Sequence, residues 1–359
     1  MVKELRAGVT TGLCAAAAAK AATAMLLAAG SVGQVEVSAK NGETKTFEVT
    51  DTLYEKNAVQ CAVQKDAGDD PDITHGMKIF ATVSKTETGG IEVDGSEGVG
   101  HVTKPGLKVP VGRAAINPMP MEMIKAAIED VCKAFAYCGG IKAVISIPGG
   151  ALIAKKTMNE RLGVVGGLSI LGTTGIVEPM SNNAIVETIK AEIDVAIASD
   201  KNSLLITPGN YGRDFASSEL GFNIGDAVKC SNFIGETLDY SCLKGIKHIT
   251  LIGHAGKLIK LAGGIMNTHS AIADCRIEII AAHSALMGAE AETIRKIMAC
   301  VTTETAVEVM QEIGINDSVW ESIGQKIGFH LRERTRGRIQ VEYIVFTQEH
   351  GVLCKGTTI

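Results

Sequence analysis

The run Gly8 to Gly30, GVTTGLCAAAAAKAATAMLLAAG, constrains the fold more than any other stretch. Alanine is the best helix former, and its small side chain lets a neighbouring backbone come close. The run follows a start carrying Lys3 and Arg6, and a charged start before an apolar run also describes a secretory signal. Several features argue instead for a helix kept inside a folded protein. Mostly alanine, the run is weakly apolar, and Lys20 in its middle would be costly in hydrocarbon. Thr10-Thr11 can cap the helix start, and Gly30 can stand just past its end. No other stretch reaches the roughly 18 uncharged apolar residues of a membrane span. We expect a packed helix, no membrane association, and an N-terminus at Thr10-Thr11-Gly12 whose free N–H groups suit an anion.

The chain has 359 residues, 46% hydrophobic and 21% charged, enough for two domains. Its net charge is −5 without a polybasic run, and aromatics are 4%, which argues against nucleic acid as a partner. The nine cysteines are odd in number and form no C-x-x-C pair, so neither a zinc ribbon nor a disulfide framework is indicated. Isolated cysteines beside apolar residues read as reduced and buried, which points to the cytoplasm.

Periodicity divides the chain near residue 138. Residues 1–138 read as an α+β domain. Short alternating runs at 35–38, 46–49, 57–63 and 78–83 suggest a mainly antiparallel sheet, and a helix is expected from Met121 to Tyr137. Residues 139–359 read as a Rossmann-like parallel α/β domain with a helical C-terminal part. Apolar strands at 143–147, 203–207 and 248–252 run into glycine turns. Ile185, Ile189, Ile193 and Ile197 repeat every four residues over a helix from Ser181 to Ala198. The stretch from about Thr268 to Arg334 is expected to be helical, with a strand at Gln340 to Phe346. The triplet Thr-Thr-Gly occurs at 10–12 and 173–175, without any wider repeat.

Three constellations can carry chemistry. The first is Lys65-Asp66-Ala67-Gly68-Asp69-Asp70-Pro71-Asp72-Ile73-Thr74-His75-Gly76. Crowded carboxylates repel, so one can acquire a raised pKa and act as a base; they can also hold a cation, or form a solvated turn. The spacing is not that of an EF-hand loop. The second, Glu97 to Pro120, holds His101, Lys104, Lys108 and Arg113 among glycines and prolines. It suits an anion clamp, with Arg113 able to grip a carboxylate through two bonds, or else is a surface connection. The third is the set of turns after second-half strands: Thr207-Pro208-Gly209-Asn210-Tyr211-Gly212, Gly253-His254-Ala255-Gly256-Lys257, and Gly163 to Gly167. Ligands bind at such strand ends in open α/β sheets, although glycine turns also serve packing. If the stretch after His254 is helical, Lys257 and Lys260 share a face, where they either meet ligand carboxylates or are solvated. No G-x-G-x-x-G loop or P-loop is present.

Taken together, Gly8-Val9-Thr10-Thr11-Gly12-Leu13-Cys14-Ala15-Ala16, the aspartate-rich stretch 65–76, Val109 to Pro118, and Gly253 to Ala262 resemble the CbiD family. These are the cobalt-precorrin-5B C1-methyltransferases of anaerobic cobalamin biosynthesis. The resemblance spans essentially the whole chain; one departure is Met121, where a basic residue is expected. It implies methylation of C-1 of cobalt-precorrin-5B by S-adenosylmethionine to give cobalt-precorrin-6A. Cobalt would enter only as part of the corrinoid substrate, so no protein metal site is required. Asp69, Asp70 or His75 would serve as the base for a ring proton. Substrate carboxylates would meet Thr10, Thr11, Lys104, Arg113, Lys257, Lys260 and His269. The fold-level reading puts the methyl donor at Thr207, Gly209, Asn210, Gly212, Gly253 and His254. A homo-oligomer and transient contacts with neighbouring pathway enzymes are also expected. Two other readings stay open: a nucleotide-dependent oxidoreductase, and a non-catalytic corrinoid carrier.

Overall fold

The computed structural model describes residues 5–358, so Lys3 of the charged start lies outside the described residues. It is a mixed α/β protein, and the chain divides into two compact units, 1–182 and 183–359.

The first unit is built around helix α1, Thr11–Ala28. Thr10 caps it by accepting the Leu13 N–H, as expected. The left-handed residue that ends it is Ala29, with φ of 52°, one position before Gly30. Thirteen of its eighteen residues are buried, so the helix has no solvent face of any width and works as a core rod. It is long and apolar enough to cross a membrane, but 72% of it is buried within the protein. Lys20 escapes the apolar surroundings by donating to the carbonyl of Glu36 at 2.9 Å.

Against α1 lies a six-stranded sheet of β1 (Gln34–Ser38), β2 (Thr44–Tyr54), β3 (Ala58–Gln64), β4 (Lys78–Thr86), β5 (Ile91–Gly95) and β6 (Gly140–Ser146), in the order β1-β2-β3-β4-β6-β5. Every pair is antiparallel except β6 with β5. Because β6 pairs with β4 from Gly140 to Ser146, the chain stays in this unit well past residue 138. The expected boundary there is corrected by a pairing between distant segments that local periodicity does not register. Helix α2, Pro118–Ala134, starts at the proline itself, three residues before Met121; proline at the first helical position has no N–H to waste. A Cβ on Gly12 would stand 2.8 Å from Pro120 Cγ, so the small residue lets the starts of α1 and α2 meet.

The second unit carries β7 (Ser203–Thr207), β8 (Val228–Lys229), β9 (His248–His254), β10 (Gln340–Thr347) and β11 (Gly351–Thr357), in the order β8-β7-β9-β10-β11. The first four are mutually parallel and β11 is antiparallel. The sheet is therefore mixed, which corrects the expectation of a wholly parallel one; a short turn at 348–350 sends the chain back alongside β10. Helices α3 (Asn182–Ala198), α4 (Asn210–Ser218) and α5 (Ile234–Leu243) alternate with the strands. Then come α6 (Arg276–Leu286), α7 (Ala291–Met298), α8 (Thr303–Glu312) and α9 (Asn316–Thr335). In the isoleucine repeat only Ile189 and Ile193 are buried, while Ile185 is 40% exposed. The sheet order reverses between β7 and β9, and the crevice at that reversal, outside the strand ends, is where open α/β sheets bind ligands.

Candidate active site

The aspartate-rich loop is folded by its own charges. Lys65 is 1% exposed and places its ammonium 2.7 Å from Asp72 Oδ2. Asp72 Oδ1 accepts both the N–H and the hydroxyl of Thr74, at 2.8 and 2.6 Å. Burial pushes the Asp72 pKa up, but Lys65 and Thr74 outweigh it and the net shift is downward. Asp66 receives Arg6 through two guanidinium bonds of 2.5 and 2.9 Å and accepts the Gly68 N–H. The Arg6 bond, then the Gly68 amide, hold its pKa down to about 2. For these two aspartates the expectation of a raised pKa is reversed, because each has a cation beside it.

The three residues assigned to a base hold backbone. Asp69 Oδ2 accepts the Arg6 N–H at 2.8 Å, and Asp70 Oδ1 accepts the Met180 N–H at 2.8 Å. His75 Nδ1 accepts the Ala67 N–H at 3.1 Å. Neutral His75 therefore carries its proton on Nε2 and has no free lone pair to receive another. Asp69 and Asp70 each keep one carboxylate oxygen outside any described hydrogen bond. Gly68, with φ of +69°, fits because a Cβ there would strike the Arg6 carbonyl at 2.1 Å.

Thr10 and Thr11 are buried, and three of the amides at the α1 N-terminus are occupied. Gly12 N–H donates to the Leu171 carbonyl, Leu13 N–H to Thr10 Oγ1, and Cys14 N–H to the Thr10 carbonyl. Thr11 Oγ1 is bonded to the backbone of Leu171. Of the amides expected to meet an anion, those of Gly12, Leu13 and Cys14 are thus already engaged within the protein. Thr10 N–H donates to the Gly175 carbonyl, which sets the two Thr-Thr-Gly triplets side by side.

The turn Gly163 to Gly167, expected among the second-half turns, lies in the first unit, where the segment 163–177 links the polar loops. Val164 pairs with Val102, Gly167 with Gly98, Ile170 bridges Ile116, and Ile176 pairs with Val9. Lys104 donates to the Arg161 carbonyl at 3.2 Å. Gly98 provides close approach, since a Cβ there would stand 1.8 Å from the Ile147 carbonyl oxygen. Arg113, Lys108 and His101 are exposed, and their side chains have no hydrogen-bond or ion-pair partner among the described residues. Met121 packs part-buried against the core.

In the second unit the strand-end loops converge. Register sets Thr207 beside Lys229, and Lys229 donates to Asn210 Oδ1 at 2.8 Å. Lys257, from the turn after β9, donates to the Pro208 carbonyl at 3.1 Å and to Asn232 Oδ1 at 2.9 Å. Three loops are thus tied by one ammonium. Burial pulls the Lys257 pKa down. Thr207 is fully buried, and its hydroxyl has no partner among the described residues. A Cβ on Gly209 would meet nothing within 4 Å, whereas one on Gly212 would meet the Ile252 carbonyl oxygen at 2.7 Å. Gly209 therefore borders open space, and Gly212 serves helix–strand packing. So does Gly253, where a Cβ would stand 2.8 Å from Leu258 Cγ.

His254 is fixed at both nitrogens. Nδ1 accepts the Gly256 N–H, and Nε2 lies 3.0 Å from Glu304 of α8. Burial lowers its pKa, against the pull of Glu304. Lys260 does not share a face with Lys257. It is 3% exposed and donates to the carbonyls of Thr268 and Ala273, so its expected substrate contact is corrected to a structural one. His269 is exposed and uses Nδ1 to accept the Ala271 N–H. Lys229, Asn232 and Glu304 escape sequence reasoning. Lys229 is hinted at by the apolar run 227–230, while Glu304 lies some fifty residues beyond its partner.

Burial pushes the thiols of Cys14, Cys61 and Cys230 up to about 12, so they stay protonated at neutral pH. Glu308, Glu349 and His350 place ligand atoms within 4.8 Å of one another, close enough for a metal ion.

Comparison with known proteins matches a family model described as CbiD over residues 1–179 and one described as CbiD, C-terminal domain, over 267–357. A cobalt-precorrin-5B C(1)-methyltransferase of Ruminiclostridium cellulolyticum is 51% identical over 96% of this chain and 90% of its own length. One of Alkaliphilus metalliredigens is 44% identical over 98% and 92%. A crystal structure of the cobalamin biosynthesis protein CbiD from Archaeoglobus fulgidus shares 30% identity over 72% of this chain and 80% of its own, with a TM-score of 0.41. With both family models matched in order and relatives of this identity nearly end to end, the chain belongs to the CbiD family.

Proposed function

We propose that this protein methylates C-1 of cobalt-precorrin-5B with S-adenosylmethionine, forming cobalt-precorrin-6A in the anaerobic, cytoplasmic route to cobalamin. The observation that carries the reading is identity of 51% over 96% of the chain to a relative bearing that enzyme name. The open strand-end crevice of the second unit supports a donor site there.

The chemistry suits a site without a nucleophilic triad. The sulfonium is already electrophilic, and the electron-rich ring carbon attacks its methyl group. The S–CH3 electron pair returns to sulfur, giving S-adenosylhomocysteine. Alignment of carbon, methyl and sulfur supplies on the order of 7–11 kcal/mol at best. Asp69 and Asp70, each with an unengaged oxygen, are the better candidates to take a ring proton, since His75 has both nitrogens committed when neutral. Exposed Arg113 and Lys108 suit the macrocycle's carboxylates, as does Lys104.

The test is calorimetric titration of the reduced protein with S-adenosylhomocysteine, with NAD(P)H as control, followed by turnover of cobalt-precorrin-5B. Binding of the homocysteine product with methyl transfer is the expected result. Binding of the nicotinamide alone would replace the reading with an oxidoreductase, and corrinoid binding without donor binding would replace it with a carrier.

A further inference from the structure

Among the described residues, the crevice between β7 and β9 presents two ammonium groups, Lys257 and Lys229, each held by neutral oxygens. Lys257 spends two of its three N–H bonds, on the Pro208 carbonyl and Asn232 Oδ1. Lys229 spends one, on Asn210 Oδ1. Neither lysine has an ion-pair partner among the described residues. Glu192 turns Oε2 to the Lys229 backbone N–H at 3.0 Å.

These contacts also fix the amides. An ammonium can only donate, so the atom of Asn232 facing Lys257 must be oxygen, and likewise for Asn210 facing Lys229. Asn232 Oδ1 is further engaged by the Thr268 hydroxyl at 3.4 Å. The Nδ2 groups of both asparagines are left as donors without a described acceptor. Above them Gly209 borders open space. A half-buried ammonium held only by neutral oxygens, with amide N–H groups that have no described acceptor, suits a carboxylate. A broad polycarboxylate ring is matched better by the exposed Arg113 and Lys108, whereas Lys257 needs a narrow arm.

We infer that Lys257 and Asn232, assisted by Asn210, hold the carboxylate of the methyl donor's amino-acid arm. This rests on the methyl-donor reading above. It reassigns Lys257 from the macrocycle to the donor and orients the arm toward the β7 and β9 loop ends.

The full-length protein is titrated with S-adenosylhomocysteine, its decarboxylated analogue, and 5′-methylthioadenosine, which lacks the arm. The wild type is expected to prefer S-adenosylhomocysteine over the decarboxylated analogue by roughly ten- to a hundredfold. Lys257→Met is expected to erase that preference while retaining 5′-methylthioadenosine binding, and Lys257→Arg to keep much of it. Equal wild-type affinity for the two analogues overturns the inference while leaving the donor reading intact, and so does a Lys257→Met protein that keeps the full preference. Because Lys257 also secures Pro208 and Asn232, the wild-type ligand comparison decides without any variant. Failure of the wild type to bind any of the three overturns the donor reading and this subsite with it.

Discussion

The aspartate loop of the first unit and the strand-end crevice of the second are both dense in polar groups, yet they are opposites electrostatically. In the loop, Lys65 meets Asp72 and Arg6 meets Asp66, and the two aspartates have lowered pKa values. In the crevice, Lys257 and Lys229 meet only neutral oxygens, and burial lowers the Lys257 pKa. In the first, Asp66 and Asp72 each have a cation beside them, while Asp69 and Asp70 accept only backbone N–H groups; in the second, the cations face neutral oxygens. The number of polar residues per stretch marks the loop most strongly, but cations without a facing carboxylate among the described residues mark the crevice, together with the exposed Arg113 of the first unit.

Where the loop pairs a buried cation, removing its partner should be costly. Asp72→Ala leaves the Lys65 ammonium buried without a partner, and we expect a loss of about 3 kcal/mol. Adding Lys65→Met should restore all but about 1 kcal/mol, the remainder reflecting the Thr74 N–H and hydroxyl that Asp72 also receives. Urea unfolding followed by hydrogen exchange over β3 and β4 measures this. The sole tryptophan, Trp320, sits in the second unit and is the wrong reporter. A loss in Asp72→Ala well under 1 kcal/mol would remove the distinction between the two regions.

Open groups should instead show their worth in substrate terms. Arg113→Ala should raise KM for the corrinoid about tenfold, near 1.4 kcal/mol, with kcat and the KM for the donor unchanged, the pattern of lost uniform binding. Steady-state kinetics with each substrate varied in turn reads this out. Equal shifts for both substrates would refute a clamp.

The difference between the regions also explains what the sequence made legible. Helix α1 could be read because its caps and its alanines are local. Strands β1 to β4 could be read because alternation is local too. The unit boundary could not, since it depends on β6 joining β4 across more than fifty residues. Nor could β11, whose reversal at 348–350 makes the sheet mixed. In the site, aspartates were visible as a cluster, but whether each has a cation is decided by Arg6 and Lys65 in three dimensions. Lys260 and Lys257 look alike in sequence, three residues apart. Only the fold turns one inward to the Thr268 and Ala273 carbonyls and leaves the other at the crevice.

A smaller effect separates Lys257 from Lys65 as structural elements. Lys257→Met removes a half-buried ammonium that has no acid to leave behind, and the Pro208 and Asn232 oxygens lose one donor each. We expect a cost of about 1 kcal/mol or less, to be read from urea midpoints tracked by Trp320 fluorescence. A cost as large as that of Asp72→Ala would make Lys257 a structural pin and close the crevice as an anion site.

The smallest effect concerns acid. Asp66 titrates at about 2 in the folded chain against an ordinary 3.8, so its pairing with Arg6 stabilises fully above about pH 4 and is lost as pH falls through 2. Both side chains are more than half exposed, at 58% and 53%, so solvent screening keeps the contribution small. Arg6→Met should therefore lower stability only slightly at pH 6 and not at all once the pH is well below 2. In carboxyl NMR it should move the Asp66 midpoint up toward 3.8. Lys257 also has a lowered pKa, so stability again rises with pH, but here the charged form is the disfavoured one: burial of the ammonium is a cost that lifts as pH rises toward 10.5. A bound carboxylate would remove that cost by favouring the ammonium. Alkaline stability of the free protein should therefore rise more in the wild type than in Lys257→Met, and the difference should vanish when S-adenosylhomocysteine is present. A difference that persists with the ligand bound would mean that the crevice cation was never waiting for an anion.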